Sequence, residues 1–243
     1  RVNQNGIFLL GPTLMEYGTE EQKADILPKM ADGTEVWSQG WSEPNAGSDM
    51  AAIRSKAELT ADGEHYIING QKTWSTRAVW ADQCFGMFRT DPESKRHKGL
   101  TFILVPLNLD GVTVRPIPQL DGLPGFAEIF FDNVKVPVNR RLGGEGEGWG
   151  VAMATAGFER GLMLRSPARF QETAKRLVEL YLANQERADR DPAIKDAVMK
   201  AYLDAEAYCL STYQTACRLI KGGKIGAESS TNKIFWSELD WQM

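Results

Sequence analysis

WSEPNAGSDM, residues 41–50, is a stretch of ten positions with almost no aliphatic bulk in a chain that is 42% hydrophobic. It follows an amphipathic helical pattern and precedes a series of short β-rich runs. Gly47 permits a turn with positive φ, Asn45 tolerates one, and Pro44 stiffens the entry. Successive N–H groups can then converge on an anionic or carbonyl oxygen. The stretch predicts either a polar surface turn or a loop that holds a ligand.

A second segment, KTWST at residues 72–76, favours the ligand interpretation. Trp74 offers a flat ring that can pack against a planar heteroaromatic ligand, and the hydroxyls of Ser75 and Thr76 can hydrogen-bond the edge of such a ring. Ser42 and Ser48 add two more hydroxyls from the first stretch. The alternative for Trp74 is an ordinary place in the core of a β-domain.

Composition limits the classes of partner. The 243 residues contain 28 Lys plus Arg and 32 Asp plus Glu, so the net charge of −4 predicts neither a nucleic-acid partner nor an anionic membrane surface. Three scattered cysteines indicate neither a disulfide framework nor a zinc site, and no metal site is expected. Without a span of about 20 apolar residues or a signal-peptide pattern, we expect a cytoplasmic protein. The ends read as those of a fragment.

The order of patterns along the chain predicts an α+β fold. Residues 1–35 read as the end of a helical domain, with Thr19 as an N-cap. Residues 36–142 contain short β-rich runs separated by turns, which predict an antiparallel barrel or sandwich. Residues 148–243 read as three long helices, the first of them kinked at Pro167. The glycine-rich but acidic LGGEGEGW between the last two zones predicts a flexible linker.

Five segments together resemble the FAD-dependent acyl-CoA dehydrogenases in order and spacing: EYGTEEQKADILPKMADGTEV, SEPNAGSD, YIINGQKTWST, FFDNVKVPVNRRLGGEGEGW and FERG. The resemblance implies that family's fold, with a helical layer, a central antiparallel β-barrel and a C-terminal helical bundle. It implies FAD as the cofactor and oxidation of an acyl-CoA thioester to its trans-2-enoyl-CoA. It also implies an electron-transfer flavoprotein as acceptor and a homo- or hetero-oligomer.

The resemblance also implies residue roles. Positions 39–42 and 74–76 match segments that hold the isoalloxazine, and Ser48 matches a position near the cofactor phosphates and the thioester. Ser75 departs from the family, which often has an Ile- or Val-like residue there. The predicted cofactor-binding residues are Gln39, Trp41, Ser42, Gly47, Ser48, Trp74, Ser75 and Thr76. The predicted substrate-binding residues are Ser48, Arg96 and Arg160.

Glu159 is the candidate base that takes the α-proton, because it lies in a helix flanked by Met, Ala, Phe and Leu, surroundings that raise a carboxyl pKa. Some relatives carry the base at this position, and others carry it on a helix beyond Met243. A surface glutamate that is paired with Arg165 or simply solvated is the alternative. Arg160 has the alternative of a solvated or subunit-facing arginine, and Arg96, in ESKRHKG, that of a solvated loop.

Two other functions remain open at this level. One is an acyl-CoA oxidase or a flavin monooxygenase-like member of the fold, in which the reduced flavin meets oxygen. The other is a non-catalytic subunit that supports an active partner in a heteromer.

Overall fold

The computed structural model describes residues 3–162, 166–223 and 228–243, with the side chains of residues 160–162 and 228–229 left outside the description. The chain divides into two compact units, Arg1–Phe158 and Glu159–Met243. None of the described helices combines the length and the apolar character that a membrane span requires.

The first unit begins with helices. A π-helical segment, Gly6–Leu10, runs into α1, Gly11–Tyr17, and α2 spans Glu20–Asp32. The predicted N-cap is confirmed: the Thr19 hydroxyl accepts from the N–H of Gln22, and the Gln22 side chain accepts from the N–H of Thr19. This reciprocal capping box satisfies two of the N–H groups that a helix start leaves free.

A sheet of eight strands follows. Six of them have the order β6-β7-β3-β2-β4-β5, β8 continues that order after β5, and β1 pairs with β4. The α+β fold class is confirmed, but the sheet is mixed, since β1 runs parallel to β4 and β2 makes one parallel pair with it. The strands are β1 Trp37–Gly40, β2 Lys56–Leu59, β3 His65–Thr76, β4 Gln83–Arg89, β5 Leu100–Pro106, β6 Val112–Ile117, β7 Phe126–Pro137 and β8 Arg141–Leu142.

The sheet curls around its own apolar core. Ile129 of β7 and Ile103 of β5 belong to one cluster of buried side chains, although three strands separate β7 from β5 in the hydrogen-bonded order. Ile68 of β3 and Phe88 of β4 belong to the same cluster and are fully buried. A single core of this kind supplies most of the free energy that holds the strands together.

The segment between the sheet and the next helix is ordered by hydrogen bonds, so the predicted flexible linker is wrong. The N–H of Gly144 donates to the Glu147 carboxylate at 2.9 Å, and the N–H of Gly146 donates to the Thr101 hydroxyl at 2.9 Å. Helix α3, Gly148–Leu162, follows directly. A Cβ on Gly148 would lie 2.6 Å from the backbone N of Phe102, so only glycine lets the helix start this close to β5.

The second unit contains the end of α3 and, among the described residues, helices α4, Pro167–Ala183, α5, Gln185–Ala188, α6, Pro192–Ile220, and α7, Glu228–Gln242. The expectation of one helix kinked at Pro167 is wrong, because α4 begins at Pro167 and Ser166 is not helical. Proline favours the first turn of a helix and disfavours a helical residue before it. Phe170 and Tyr208 pack edge to face at 5.2 Å in the core of this unit.

We expect Gly148→Ala to lower the free energy of unfolding by about 1–3 kcal/mol, because the added methyl would overlap the backbone of β5. Gly150→Ala is the matched control: it lies in the same helix, and its Cβ would meet nothing within 4 Å. The control should be neutral or stabilising by up to about 1 kcal/mol. Thermal denaturation measures both, and equal melting temperatures for the two variants would contradict the close approach.

Candidate functional site

The stretch at residues 41–50 forms a tight turn closed by two backbone hydrogen bonds. The N–H of Glu43 donates to the Ala46 carbonyl at 2.9 Å, and the N–H of Ala46 donates back to the Glu43 carbonyl at 3.0 Å. Neither Asn45 nor Gly47 has a positive φ, so this turn uses ordinary backbone conformations. A Cβ on Gly47 would meet nothing within 4 Å. Ser48 is exposed at the end of the turn.

A β-bulge in β3 determines where Trp74 lies. The pairing with β7 shifts between Lys72, opposite Ile129, and Ser75, opposite Ala127. Because a bulge inserts an extra residue, Lys72 and Ser75 both face the core, while Trp74 takes a φ of 57° and is 60% exposed. The indole therefore does not lie in the core of the sheet. It presents a free face to solvent at the edge of the turn.

The turn and the bulge are joined to each other directly. The N–H of Thr73 donates to the Ser42 carbonyl at 2.8 Å. The neighbouring residues make a second bond: the Lys72 ammonium, one position before Thr73, donates to Oε1 of Glu43, one position after Ser42, at 2.8 Å. These two side chains are 0% and 7% exposed. The two segments that the sequence singled out separately are thus parts of one structure.

Glu43 uses both carboxylate oxygens. Besides the Lys72 ammonium, Oε1 accepts from the N–H of Ser55 at 2.9 Å, and Oε2 accepts from the N–H of Arg54 at 2.6 Å. Burial raises the pKa of Glu43, but the Lys72 charge and these hydrogen bonds outweigh it, so the pKa lies below its ordinary value of 4.5. The carboxylate remains ionised and holds the chain entering β2.

Lys72 also has several partners. Its ammonium donates to the Met87 carbonyl at 2.7 Å, lies 3.5 Å from the Trp41 carbonyl, and sits over the Phe88 ring. Burial lowers the pKa of Lys72, and the Glu43 charge opposes that shift. The neighbouring Cys84 is fully buried, and burial raises the pKa of its thiol to about 12. That thiol is therefore protonated and inert as a nucleophile.

Two buried polar atoms near the turn and the bulge lack partners. Among the described residues, Nε1 of Trp41 and Oγ of Ser75 have no hydrogen-bond partner. Buried donors without partners are uncommon in native structures. A bound ring with carbonyl and nitrogen acceptors would supply such partners, and the exposed face of Trp74 offers a surface for stacking. The residues present therefore fit a flavin.

The structure places Arg96 beside the turn. Its guanidinium pairs at 2.9 Å with the carboxylate of Asp49, the residue that follows Ser48 in the sequence. The side chains of Arg96 and Asp49 are both exposed. Arg89 ties this loop to the segment after the turn. The Arg89 guanidinium donates to five backbone carbonyls, those of Ala51, Ile53, Ser94, Arg96 and Lys98. The loop is held in place rather than freely solvated along its backbone.

The structure also gives the positions of other predicted site residues. Gln39 lies in β1, paired with Phe85, and the Thr76 carbonyl accepts from the Ser38 hydroxyl at 3.0 Å. Glu159 lies near the end of α3 with an exposed side chain. Arg160 follows it in the helix, but the Arg160 side chain and the whole of Arg165 lie outside the described residues.

Sequence reasoning missed Glu43 and Lys72 as a pair. The available signal was a lysine at an inward position of the apolar strand HYIINGQKTWST, because a buried charge needs a partner of opposite sign. The sequence does not identify the partner, however, because Glu43 lies 29 residues earlier in a turn that has no alternation.

Two family descriptions match successive parts of the chain. Residues 38–134 match the family described as "Acyl-CoA dehydrogenase, middle domain", and residues 146–243 match "Acyl-CoA dehydrogenase, C-terminal domain". The acyl-CoA dehydrogenase IpdE1 of Mycolicibacterium smegmatis is 45% identical over 224 residues, which cover 87% of this chain and 57% of that protein. The chain thus spans less than two thirds of the length of this relative.

Two solved structures are also similar. The "Tcur3481-Tcur3483 steroid ACAD" has a TM-score of 0.85 at 28% identity, covering 98% of this chain and 61% of that one. The ChsE4-ChsE5 complex from Mycobacterium tuberculosis has a TM-score of 0.82 at 30% identity, covering 98% and 62%.

The ion pair predicts a pH dependence of stability. Because the folded pKa of Glu43 is lowered, its contribution is complete above the ordinary value of 4.5 and is lost as pH falls through the folded pKa. We expect Glu43→Gln to lower the free energy of unfolding by about 3 kcal/mol at neutral pH. As pH decreases, the free energy of unfolding of the variant should fall less steeply than that of the unaltered protein. Urea unfolding between about pH 3 and 6 measures this, and parallel curves for the two proteins would contradict it.

Proposed function

The chain belongs to the acyl-CoA dehydrogenase family of flavoprotein oxidoreductases, and from that membership we propose that it binds FAD and oxidises an acyl-CoA thioester to its trans-2-enoyl-CoA. The observation that carries the proposal is the exposed Trp74 indole, which the bulge turns away from the core. Hydrogen bonds from the preceding residues, Lys72 and Thr73, hold this part of β3 beside the turn at residues 41–50. An exposed aromatic ring held in a strained backbone conformation indicates a binding surface.

We propose that the turn and the bulge together hold FAD. Trp74 would stack on the isoalloxazine, while Gln39, Trp41 and the hydroxyls at positions 42, 75 and 76 would contact its edge. Trp41 Nε1 and Ser75 Oγ support this assignment, because both are buried donors without partners in the described part of the chain. Gly47 leaves open space for the cofactor phosphates, beside Ser48.

In this proposal the residues of the chain bind the thioester and move its proton. Glu159 takes the α-proton of the thioester onto its carboxylate, and bound FAD supplies the acceptor for the hydride that leaves the β-carbon. The Glu159 side chain is exposed, so its carboxylate is open to a bound thioester. Arg96, Arg160 and Ser48 would bind the CoA portion.

The names of the similar proteins extend the proposal to substrate class and partners. One solved structure is called a steroid ACAD, and two are named as two-component assemblies. We therefore include bulky polycyclic acyl groups among the candidate substrates and propose a homo- or hetero-oligomer. An electron-transfer flavoprotein is the proposed acceptor. A structure named as an acyl carrier protein oxidase, at 26% identity, keeps oxygen as the alternative acceptor.

We expect the purified protein to be yellow and to release FAD on denaturation. Trp74→Ala should weaken FAD binding by about tenfold or more, because a stacked aromatic surface is lost. Trp80→Ala, which removes another exposed indole, is the control and should leave binding unchanged. Flavin absorbance and fluorescence titration measure both. A folded protein that cannot be reconstituted with FAD would refute the proposed cofactor.

We expect Glu159→Gln to reduce turnover by about 10²–10⁴-fold, because glutamine keeps the shape of the side chain but cannot take the proton. Binding of FAD and of acyl-CoA should persist. Glu179→Gln, at another exposed helical glutamate, is the matched control. Rates are followed with an artificial electron acceptor and, separately, by oxygen consumption, which distinguishes a dehydrogenase from an oxidase.

Turnover within about tenfold of the unaltered protein would place the base elsewhere. Bound FAD with no turnover in the unaltered protein would favour a non-catalytic subunit.

A further inference from the structure

We propose that the buried Glu43–Lys72 ion pair is a positioning device for the flavin: it holds the turn at residues 41–50 against the bulge that presents Trp74. The inference rests on the proposed function for the identity of the ligand. Neither side chain reaches the surface, since they are 0% and 7% exposed, so the pair acts through the residues it holds.

The first step of the argument is connectivity. Glu43 receives the N–H groups of Arg54 and Ser55 at the entry to β2, and Lys72 donates to the Met87 carbonyl in β4. The pair itself joins the turn to β3. Four separate segments of the chain therefore meet at one pair of charges. Displacing Glu43 removes the side-chain bonds of the turn to the entry of β2 and to Lys72, and displacing Lys72 removes those that link the turn to β3 and β4. The backbone bond between Ser42 and Thr73 remains in both cases.

The second step is strain. A tryptophan at a φ of 57° is rare and persists only where the surroundings over-determine it. Here the chain is fixed on both sides of Trp74. Before the bulge, the bond to Glu43 holds Lys72 in place. After the bulge, the Thr76 carbonyl accepts from the Ser38 hydroxyl, which holds Thr76 in place. Loss of the Lys72 contact would let the bulge relax and the indole change direction.

The third step concerns what an ion pair adds here. A buried pair is often no more stabilising than apolar residues of the same volume, because both charges lose their hydration. A carboxylate and an ammonium do, however, fix direction, since each oxygen of Glu43 accepts from a backbone N–H and the Lys72 ammonium donates both to the carboxylate and to the Met87 carbonyl. A neutral replacement can therefore restore stability without restoring position. This difference separates positioning from a purely structural role.

The experiment compares Glu43→Gln and the double variant Glu43→Gln/Lys72→Met with the unaltered protein. The matched control is Glu58→Gln, which removes the same kind of charge from an exposed pair with Lys56 on the neighbouring strand. Three quantities are measured: the melting temperature, the FAD dissociation constant with the visible circular dichroism of the bound flavin, and amide hydrogen exchange without FAD. Far-UV circular dichroism confirms that each variant is folded.

We expect the double variant to melt at a higher temperature than Glu43→Gln, yet to bind FAD about tenfold or more weakly with an altered flavin dichroism. Exchange at the Arg54 amide should be about tenfold or more faster in Glu43→Gln, because the glutamine amide offers one acceptor where the carboxylate offered two. The Glu58→Gln protein should match the unaltered one in all three measurements.

FAD affinity within about twofold of the unaltered protein in the folded double variant, with unchanged flavin dichroism, would overturn the positioning role and leave the proposed function standing. Loss of the fold in both variants would make the pair a requirement of folding and would overturn the inference as well. Failure of the unaltered protein to bind FAD would refute the proposed function itself, and with it the flavin as the positioned ligand.

Discussion

A lysine that points into an apolar core imposes a constraint that the surrounding chain must meet. The Lys72 ammonium is fully buried, and an unpartnered charge there would cost more free energy than a domain of this size can spare. The chain meets the constraint with Glu43, whose carboxylate also receives the N–H groups that lead into β2. The turn, the entry to β2 and the strand that carries the bulge are all joined through this contact.

Elements with a strong local signal could be predicted from the sequence. The Thr19 N-cap, the short β-rich runs of residues 36–142 and the helical pattern of residues 148–243 depend on neighbouring residues and were all predicted. Strand β1 was not, because WSQG has neither alternation nor β-branched residues. Its place is set by parallel pairing with β4, a contact between distant parts of the chain.

The candidate site shows the same division between local and long-range information. Sequence chemistry identified the polar stretch at residues 41–50 and the Trp74 segment, because turn formers and an aromatic residue among hydroxyls are recognisable locally. That the two are joined, that Trp74 faces solvent and that Arg96 pairs with Asp49 depend on the bulge and on loop packing. One extra residue in a strand reverses the side of the sheet that each following side chain faces.

The proposed roles fall into separate parts of the chain, and this separation has a physical consequence. Every predicted cofactor residue lies before position 77, in the unit whose sheet core is well packed, whereas Glu159 belongs to the second unit. A rigid sheet suits a ring that must be held in one orientation, because a small displacement of its support changes the geometry of the reaction. A base on a helix can instead be adjusted by what covers it. Flavin binding and proton transfer are therefore expected to depend on different sets of contacts, and substitutions around Glu43 and Lys72 should alter the cofactor without altering the chemistry of the carboxylate at position 159.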